Sequence, residues 1–419
     1  MKFSKLSQLF LVSVIGLGVA SLLTACQLVT VDYVFVADSA GNTPSSPGQI
    51  EVFAVDSQSG ALRTGAPTVA TGGAQPVALA LTSNYFHLYV ANAGSNNVVH
   101  FSIDGHGNLT KQDTIMLTAA PVALAVNSTN SFLYVVSGGS SPTLTEYPLS
   151  SSGTIGTFTA TEPFSLNCTS ASASYPSDTI VPTAATVIAN ANNVYIAAYD
   201  SSAYNPSGAV TSTANPGWIF GFAVGANGAL TAPSGNCSSS VAYDVYKAGI
   251  KPSGITGDPV SRFIYVTDFA SNELIGYSIQ NAGTLSFMVN GPFKTGNEPS
   301  GVAVDPRGVY LYVTNQLDSN VSSFSIALPT GTPSTVINVV TGTSSGTDVQ
   351  PVALAIDPAL GRFIYTANRL GNSVSGLMLN PDTGALNVTQ ATPYPTSGAN
   401  PSALAIVPHG NHSIQAVTP

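Results

Sequence analysis

Pro299-Ser300-Gly301-Val302-Ala303-Val304, followed by Tyr310-Leu311-Tyr312-Val313-Thr314-Asn315, is the stretch that decides the fold. Its first half, a Pro followed by small residues and then apolar ones, recurs from Pro76 (PVALAL), Pro121 (PVALAV), Pro182 (PTAATVI), Pro252 (PSGITG), Pro351 (PVALAI) and Pro401 (PSALAI). The seven occurrences are separated by 45, 61, 70, 47, 52 and 50 residues. Most of these spacings fit one four-stranded propeller blade, about 40 to 50 residues. The second half recurs as an aromatic strand, for example His87-Leu88-Tyr89-Val90-Ala91-Asn92 and Phe363-Ile364-Tyr365-Thr366-Ala367-Asn368. A third, alternating strand follows, as in Val321-Ser322-Ser323-Phe324-Ser325-Ile326; a Gly turn then leads to a weaker fourth strand. Short Val/Ile/Tyr/Phe runs bounded by Gly, Pro, Asn and Asp are strand signals.

The ends close the count. Tyr33-Val34-Phe35-Val36-Ala37-Asp38 reads as a second strand with no first strand before it, and Pro401–Ile406 as a first strand with only a tail after it. Pairing the two makes one blade and leaves no free edge. The expected fold is all-β, a seven-bladed β-propeller over 31–408 whose closing blade joins the N- and C-terminal strands, with a tail at 409–419. Small residues suit the innermost strand, where the blades converge, and the bulky Tyr and Phe fill the wider gaps outside it. The long spacings mark insertions between Thr159 and Pro182, Asp200 and Gly217, and Ser234 and Lys251, all in the third and fourth blades. Inserted loops on a rigid scaffold are common binding sites.

Residues 1–25 read as a signal peptide: Lys2 and Lys5, the apolar run Leu9 to Leu23, then Leu23-Thr24-Ala25-Cys26. That tetrapeptide resembles the bacterial lipobox, which implies lipidation of Cys26, a lipid-anchored N-terminus at 26–30 and a place at the cell envelope, on the periplasmic or surface side of the outer membrane. Gln27 in place of Asp gives no signal for inner-membrane retention. The alternative is an ordinary secretory signal with a chance cysteine. Two or more acyl chains anchor stably where one does not. Cys168 and Cys237 remain, both in Ser/Asn-rich segments; a disulfide between them is the simplest reading in an exported protein, free thiols the alternative.

Of 419 residues only 7% are charged, with 11 Lys plus Arg against 20 Asp plus Glu. A net charge of −9 without a basic cluster argues against nucleic acid as a partner. The chain is expected to be a monomer, with a small polar ligand or an envelope protein as partner and with no cofactor or metal.

Tyr312-Val313-Thr314-Asn315 spells the tetrapeptide of the YVTN β-propeller repeats, and Tyr89–Asn92, Tyr265–Asp268 and Tyr365–Asn368 are close variants. Over Tyr33 to Pro408 the order of elements resembles the lactonase-type seven-bladed propellers, which include 6-phosphogluconolactonase. That resemblance implies the fold and opens lactone hydrolysis as an activity. Enzymes of that type typically open an inner strand with Pro-Arg-His. Here the openings are Pro-Val, Pro-Val, Pro-Thr, Pro-Ser, Pro-Ser, Pro-Val and Pro-Ser, so no catalytic pair carries over. The reading that follows is a binding or scaffold propeller, with a lactone hydrolase of divergent site as the alternative and an envelope component as a third.

Candidate residues lie at the ends of strands. Lys251 and Glu298 precede inner strands of adjacent blades, where they could form an ion pair or bind a ligand at the axial mouth; Gln75, Gln350 and Asn400 hold the equivalent places. A polar amide rim suits a neutral polar ligand such as a sugar at least as well as an anion. A second ring, Asp38, Asn92, Ser137, Asp268, Asn315 and Asn368, ends the second strands. There Asx side chains fix turns, or Asp38 and Asp268 help hold a cation. Asp258-Pro259, Asp305-Pro306 and Asp357-Pro358 read as turns on the opposite face. His87, His100, His106, His409 and His412 are expected in surface or turn roles, none on an inner strand.

Overall fold

In a computed structural model the protein is described over residues 29–39, 46–166, 179–188, 193–202, 216–225, 228–233, 243–336 and 344–410. Cys26, Cys168, Cys237 and His412 lie outside the described residues.

Seven antiparallel sheets are arranged in a ring, and each innermost strand touches that of the next blade all the way round. In blade 1 the chain ends meet. Thr30–Ser39 is sandwiched between Ala399–Pro408 on the inside and Pro47–Asp56 on the outside, with Val34 opposite Ile406 and Phe35 opposite Ala405. Blades 2 to 7 begin with the inner strands Pro76–Leu81, Pro121–Val126, Ile180–Val187, Pro252–Gly257, Pro299–Val304 and Pro351–Ile356. The fold and its split closing blade are those read from the repeat.

The outermost strand is broken in five blades. In blade 1 the pieces Leu62–Thr64 and Val69–Ala74 both pair with the third strand; in blade 5 Leu285–Phe287 and Phe293–Lys294 do so, and in blade 7 Leu386–Val388 and Tyr394–Pro395. Pro67, Pro292 and Pro393 fall in or beside these breaks. Proline has no N–H to give the ladder and is tolerated only at such an edge.

Packing between blades explains the conserved spelling of the repeat within this chain. The tyrosines of the second strands are fully buried, and in five blades the hydroxyl donates across the seam to a glycine carbonyl in the next blade's outer turn, while that of Tyr134 in blade 3 bonds Glu146 of its own blade. Tyr89 donates to Gly153 (2.7 Å), Tyr195 to Gly283, Tyr265 to Gly331 (2.6 Å), Tyr312 to Gly384 (3.1 Å) and Tyr365 to Gly60 (2.7 Å). The receiving residue must be glycine: Gly384 has φ +71°, and a Cβ there would run into the Tyr310 ring. Blade 1 carries Phe35 at the tyrosine position and has no such hydroxyl. Nearer the axis, Ser253 donates to the Pro299 carbonyl (2.6 Å), Ser300 to Pro351 (2.9 Å) and Ser402 to Pro76 (2.7 Å). Close approach there requires small side chains, since a Cβ on Gly254 would meet the Ser300 backbone of the next blade.

Two carboxyl pairs sit at the closing blade. Asp32, fully buried, lies beside Asp357 of blade 7; burial, reinforced by the charge of Asp357, raises its pKa to about 10. Asp38 lies beside Glu51 at the other end of the strand; burial and the Glu51 carboxyl raise it to about 9.

Candidate functional site at the axial mouth

The residue before each inner-strand proline stands at the mouth. Gln75, Glu298, Gln350 and Asn400 all hold left-handed backbone, with φ of 54°, 53°, 59° and 55°. Side chains other than glycine, Asn and Asp seldom adopt that region, and clustered occurrences mark sites held by their surroundings. The holding bonds repeat. The carbonyl of Gln75 accepts from the N–H of Ala93 (2.8 Å), that of Lys251 from Phe269 (2.9 Å), that of Glu298 from Gln316 (2.9 Å) and that of Gln350 from Arg369 (2.9 Å). Each of these four residues is thus tied to the first residue beyond its own blade's second strand.

The ring of Asx residues lies beneath these loops. Asp38, Asn92, Asp268, Asn315 and Asn368 are fully buried, so they brace the loops instead of lining the mouth. Asp268 accepts the N–H groups of Ile250 (2.7 Å) and Lys251 (2.9 Å). Asn315 accepts from Gly296 N–H (3.1 Å) and donates to Asn320 and Ser322; Asn92 donates to the Thr71 carbonyl and to Asn97; Asn368 donates to Ser373 and Ser375. Asp38 lies beside Glu51, and Asp268 is spent on backbone amides. Ser137 is buried as well.

Around the mouth, three successive blades carry a cation, a carboxylate and a cation. Lys251 of blade 5 sets its ammonium 4.6 Å from the Phe269 ring centroid and 5.8 Å from that of Tyr199. Glu298 of blade 6 is half-buried, and its N–H donates to the Asn272 side chain (2.8 Å). Arg369 of blade 7 stands next to Gln350, is exposed, and remains charged. Among the described residues neither Glu298 nor Arg369 forms an ion pair, so the Lys251–Glu298 pair expected from sequence does not form; the carboxylate stays available. Arg369 was not expected. Its only signal is that it follows the Tyr365–Asn368 phrase, at the place of Ala93 and Gln316.

On the opposite face Asp258 accepts the N–H groups of Arg262 and Phe263 and pairs with the Arg262 side chain (2.6 Å); Asp305 does the same with Val309, Tyr310 and Arg307 (2.8 Å). These are turn braces. The histidines depart from a uniform surface role. His100 is fully buried, bonded to Asp113 (2.5 Å) and to His87 (3.0 Å), because its blade puts an imidazole where blades 4 to 7 have a glycine or serine.

Comparison with known proteins bears on this architecture. The family model described as "Lactonase, 7-bladed beta-propeller" matches residues 39–163 and 258–417, leaving out the segment that holds blade 4 and the insertions. No curated protein matches the sequence. Among solved structures, a periplasmic gluconolactonase of Pseudomonas aeruginosa is similar at TM-score 0.69 and 16% identity, over 90% of this chain and 99% of that one. A candidate 6-phosphogluconolactonase of Bacteroides uniformis is similar at TM-score 0.69 and 17% identity, over 90% and 100%. A protein of Lactobacillus plantarum is similar at TM-score 0.69 and 15% identity, over 90% and 99%. At such identities the solved structures share the fold, while the family model spans most of the chain: the protein belongs to the seven-bladed β-propeller lactonase family.

Proposed function

We propose that the protein is an envelope-anchored binding propeller whose axial mouth holds a small polyhydroxy acid or a similarly polar ligand. One observation carries this reading. In a chain of net charge −9, Lys251, Glu298 and Arg369 follow one another in adjacent blades, among the amides of Gln75, Gln350 and Asn400 on constrained backbone. Two cations suit a carboxylate or phosphate, and the amides and Glu298 suit hydroxyls. Calorimetry with D-gluconate and 6-phosphogluconate tests it. Binding that weakens about tenfold or more in Arg369→Gln supports the reading; absence of binding by the folded protein refutes it.

Lactone hydrolysis is the second reading, favoured by the family. Glu298 is the one carboxylate preceding an inner strand, and it would take the proton from the attacking water. A hydrolysis rate on sugar lactones that is lost in Glu298→Gln selects this reading over simple binding.

Anchoring through Cys26 adds a direction. Thr30 is four residue steps from Cys26, a reach of about 14 Å at most. The strand from Thr30 starts on the face opposite the mouth, so a lipid at Cys26 turns the mouth away from the membrane. Export would also permit the Cys168–Cys237 disulfide, which mass mapping of unreduced peptides checks.

A further inference from the structure

The seam between blades 2 and 3 is built differently from the others. At the start of the second strand the other blades carry Tyr33, Phe132, Asn193, Phe263, Tyr310 and Phe363; blade 2 carries His87. Opposite the buried tyrosine of that strand, blades 4 to 7 carry Gly221, Gly276, Ser323 and Gly376 and blade 3 carries Glu146; blade 2 carries His100. The two imidazoles form a chain with a carboxylate. His100 stacks on Tyr89 with centroids 5.0 Å apart, its Nδ1 is 2.5 Å from Asp113 Oδ1, and its Nε2 is 3.0 Å from His87 Nδ1. The other Asp113 oxygen accepts the N–H of Ile155 in blade 3 (3.0 Å).

With both imidazoles neutral, the order of partners fixes the protons. A carboxylate only accepts, so His100 donates to Asp113 from Nδ1. Neutral His100 then has its lone pair on Nε2, which receives the Nδ1–H of His87. Neutral His87, favoured because burial lowers its pKa, keeps its own lone pair on Nε2, the one ring nitrogen outside the chain.

His87 lines a cleft of about 330 Å³ together with Asn84, Thr129, Asn130, Ser150 and Ser151. No charged side chain lines it. The loops of the two blades are bridged beside it, Ser83 N–H donating to the Asn130 side chain (2.7 Å) and the Ser83 hydroxyl to the Ser128 carbonyl (3.0 Å). Its volume is at the small end of ligand pockets, about 300–1,000 Å³. An anion would find no cation there and an ammonium no carboxylate, whereas a hydroxyl meets a fixed acceptor and a wall of hydroxyls and amides.

We propose that this cleft is a second ligand site, on the face away from the axial mouth, for a small neutral polyhydroxy compound that donates one hydroxyl to Nε2 of His87. The site stands whether or not the axial mouth binds acids.

The test is a titration of the ¹⁵N-histidine-labelled full chain with D-glucitol, followed by the ring nitrogen resonances, on the wild type, His87→Phe, His87→Gln and Glu298→Gln. Phenylalanine occupies this register position in blades 3, 5 and 7, so the fold accommodates it; the glutamine variant keeps a polar partner for His100. The expected result has two parts. His87 Nε2 is unprotonated and shifts saturably in the wild type and in Glu298→Gln. Binding, read from the His100 resonances in the variants that lack His87, weakens at least about tenfold in both. A protonated Nε2 in the free protein, no saturable shift, binding retained in His87→Phe, or binding lost in Glu298→Gln overturns the proposal.

Discussion

Replacing Asp32 by Asn should stabilise the protein, and increasingly so as pH rises. Folding carries Asp32 from water into a buried place beside Asp357, where its pKa rises from 3.8 to about 10. Above about pH 4 the unfolded chain has released this proton, while the native state retains it until about pH 10. The native state binds more protons throughout that window, so stability falls as pH increases, by about 1.4 kcal/mol per unit for one such group. At pH 7 the accumulated cost is on the order of 4 kcal/mol relative to acid. Asparagine has the size of the protonated acid, can donate to Asp357 as that acid does, and does not titrate. Urea unfolding of wild type and Asp32→Asn at pH 5, 7 and 9 should give a stability gap that widens by about 1.4 kcal/mol per unit and shrinks toward zero near pH 4. Asp38, raised to about 9 by burial and Glu51, adds a slope of the same sign that remains in the variant. A gap that is constant from pH 5 to 9, or a wild type that is the more stable at pH 9, refutes the argument.

Tyr312→Phe removes a buried hydroxyl and leaves the Gly384 carbonyl without its donor; a loss of about 1–2 kcal/mol is expected in chemical denaturation. Gly384→Ala asks for a left-handed backbone from alanine and pushes a methyl against the Tyr310 ring. It should lower the melting temperature further than Tyr312→Phe does, by more than about 1 kcal/mol of strain alone. Phe35→Ala empties a fully buried aromatic site, and a loss of about 3–5 kcal/mol should register in the same assay.

The blade count was legible because every blade repeats one phrase, and the Pro-small and Tyr-Val-Thr-Asn segments occupy the same register in each sheet. Lys251, Glu298, Gln75, Gln350 and Asn400 could be aligned for the same reason. Two properties of the mouth were not legible. The left-handed backbone at Glu298 accompanies a bond to Gln316, and Arg369 reaches the mouth through a bond to Gln350; both are made only when the sheet forms. Partners across seams were hidden more deeply. Tyr312 and Gly384 are 72 residues apart and meet only when consecutive blades pack; Tyr365 and Gly60 are 305 apart and meet only on ring closure. Asp32 and His100 each look like ordinary polar positions in alternating strands. Their burial follows from the neighbouring blade, which a single strand does not specify.

The seams are not fastened alike. Between blades 5 and 6, and between 6 and 7, a serine hydroxyl near the axis and a tyrosine hydroxyl farther out both cross to the next blade. Bonds at two radii resist hinging where a single bond permits it. Lys251, Glu298 and Arg369 belong to these three blades. They ride on a doubly fastened arc of the ring, as fixed points of a clamp, and a ligand spanning them has little blade motion left to freeze on binding. New ligand preferences could then arise by exchanging those three side chains alone, with the frame beneath them unchanged.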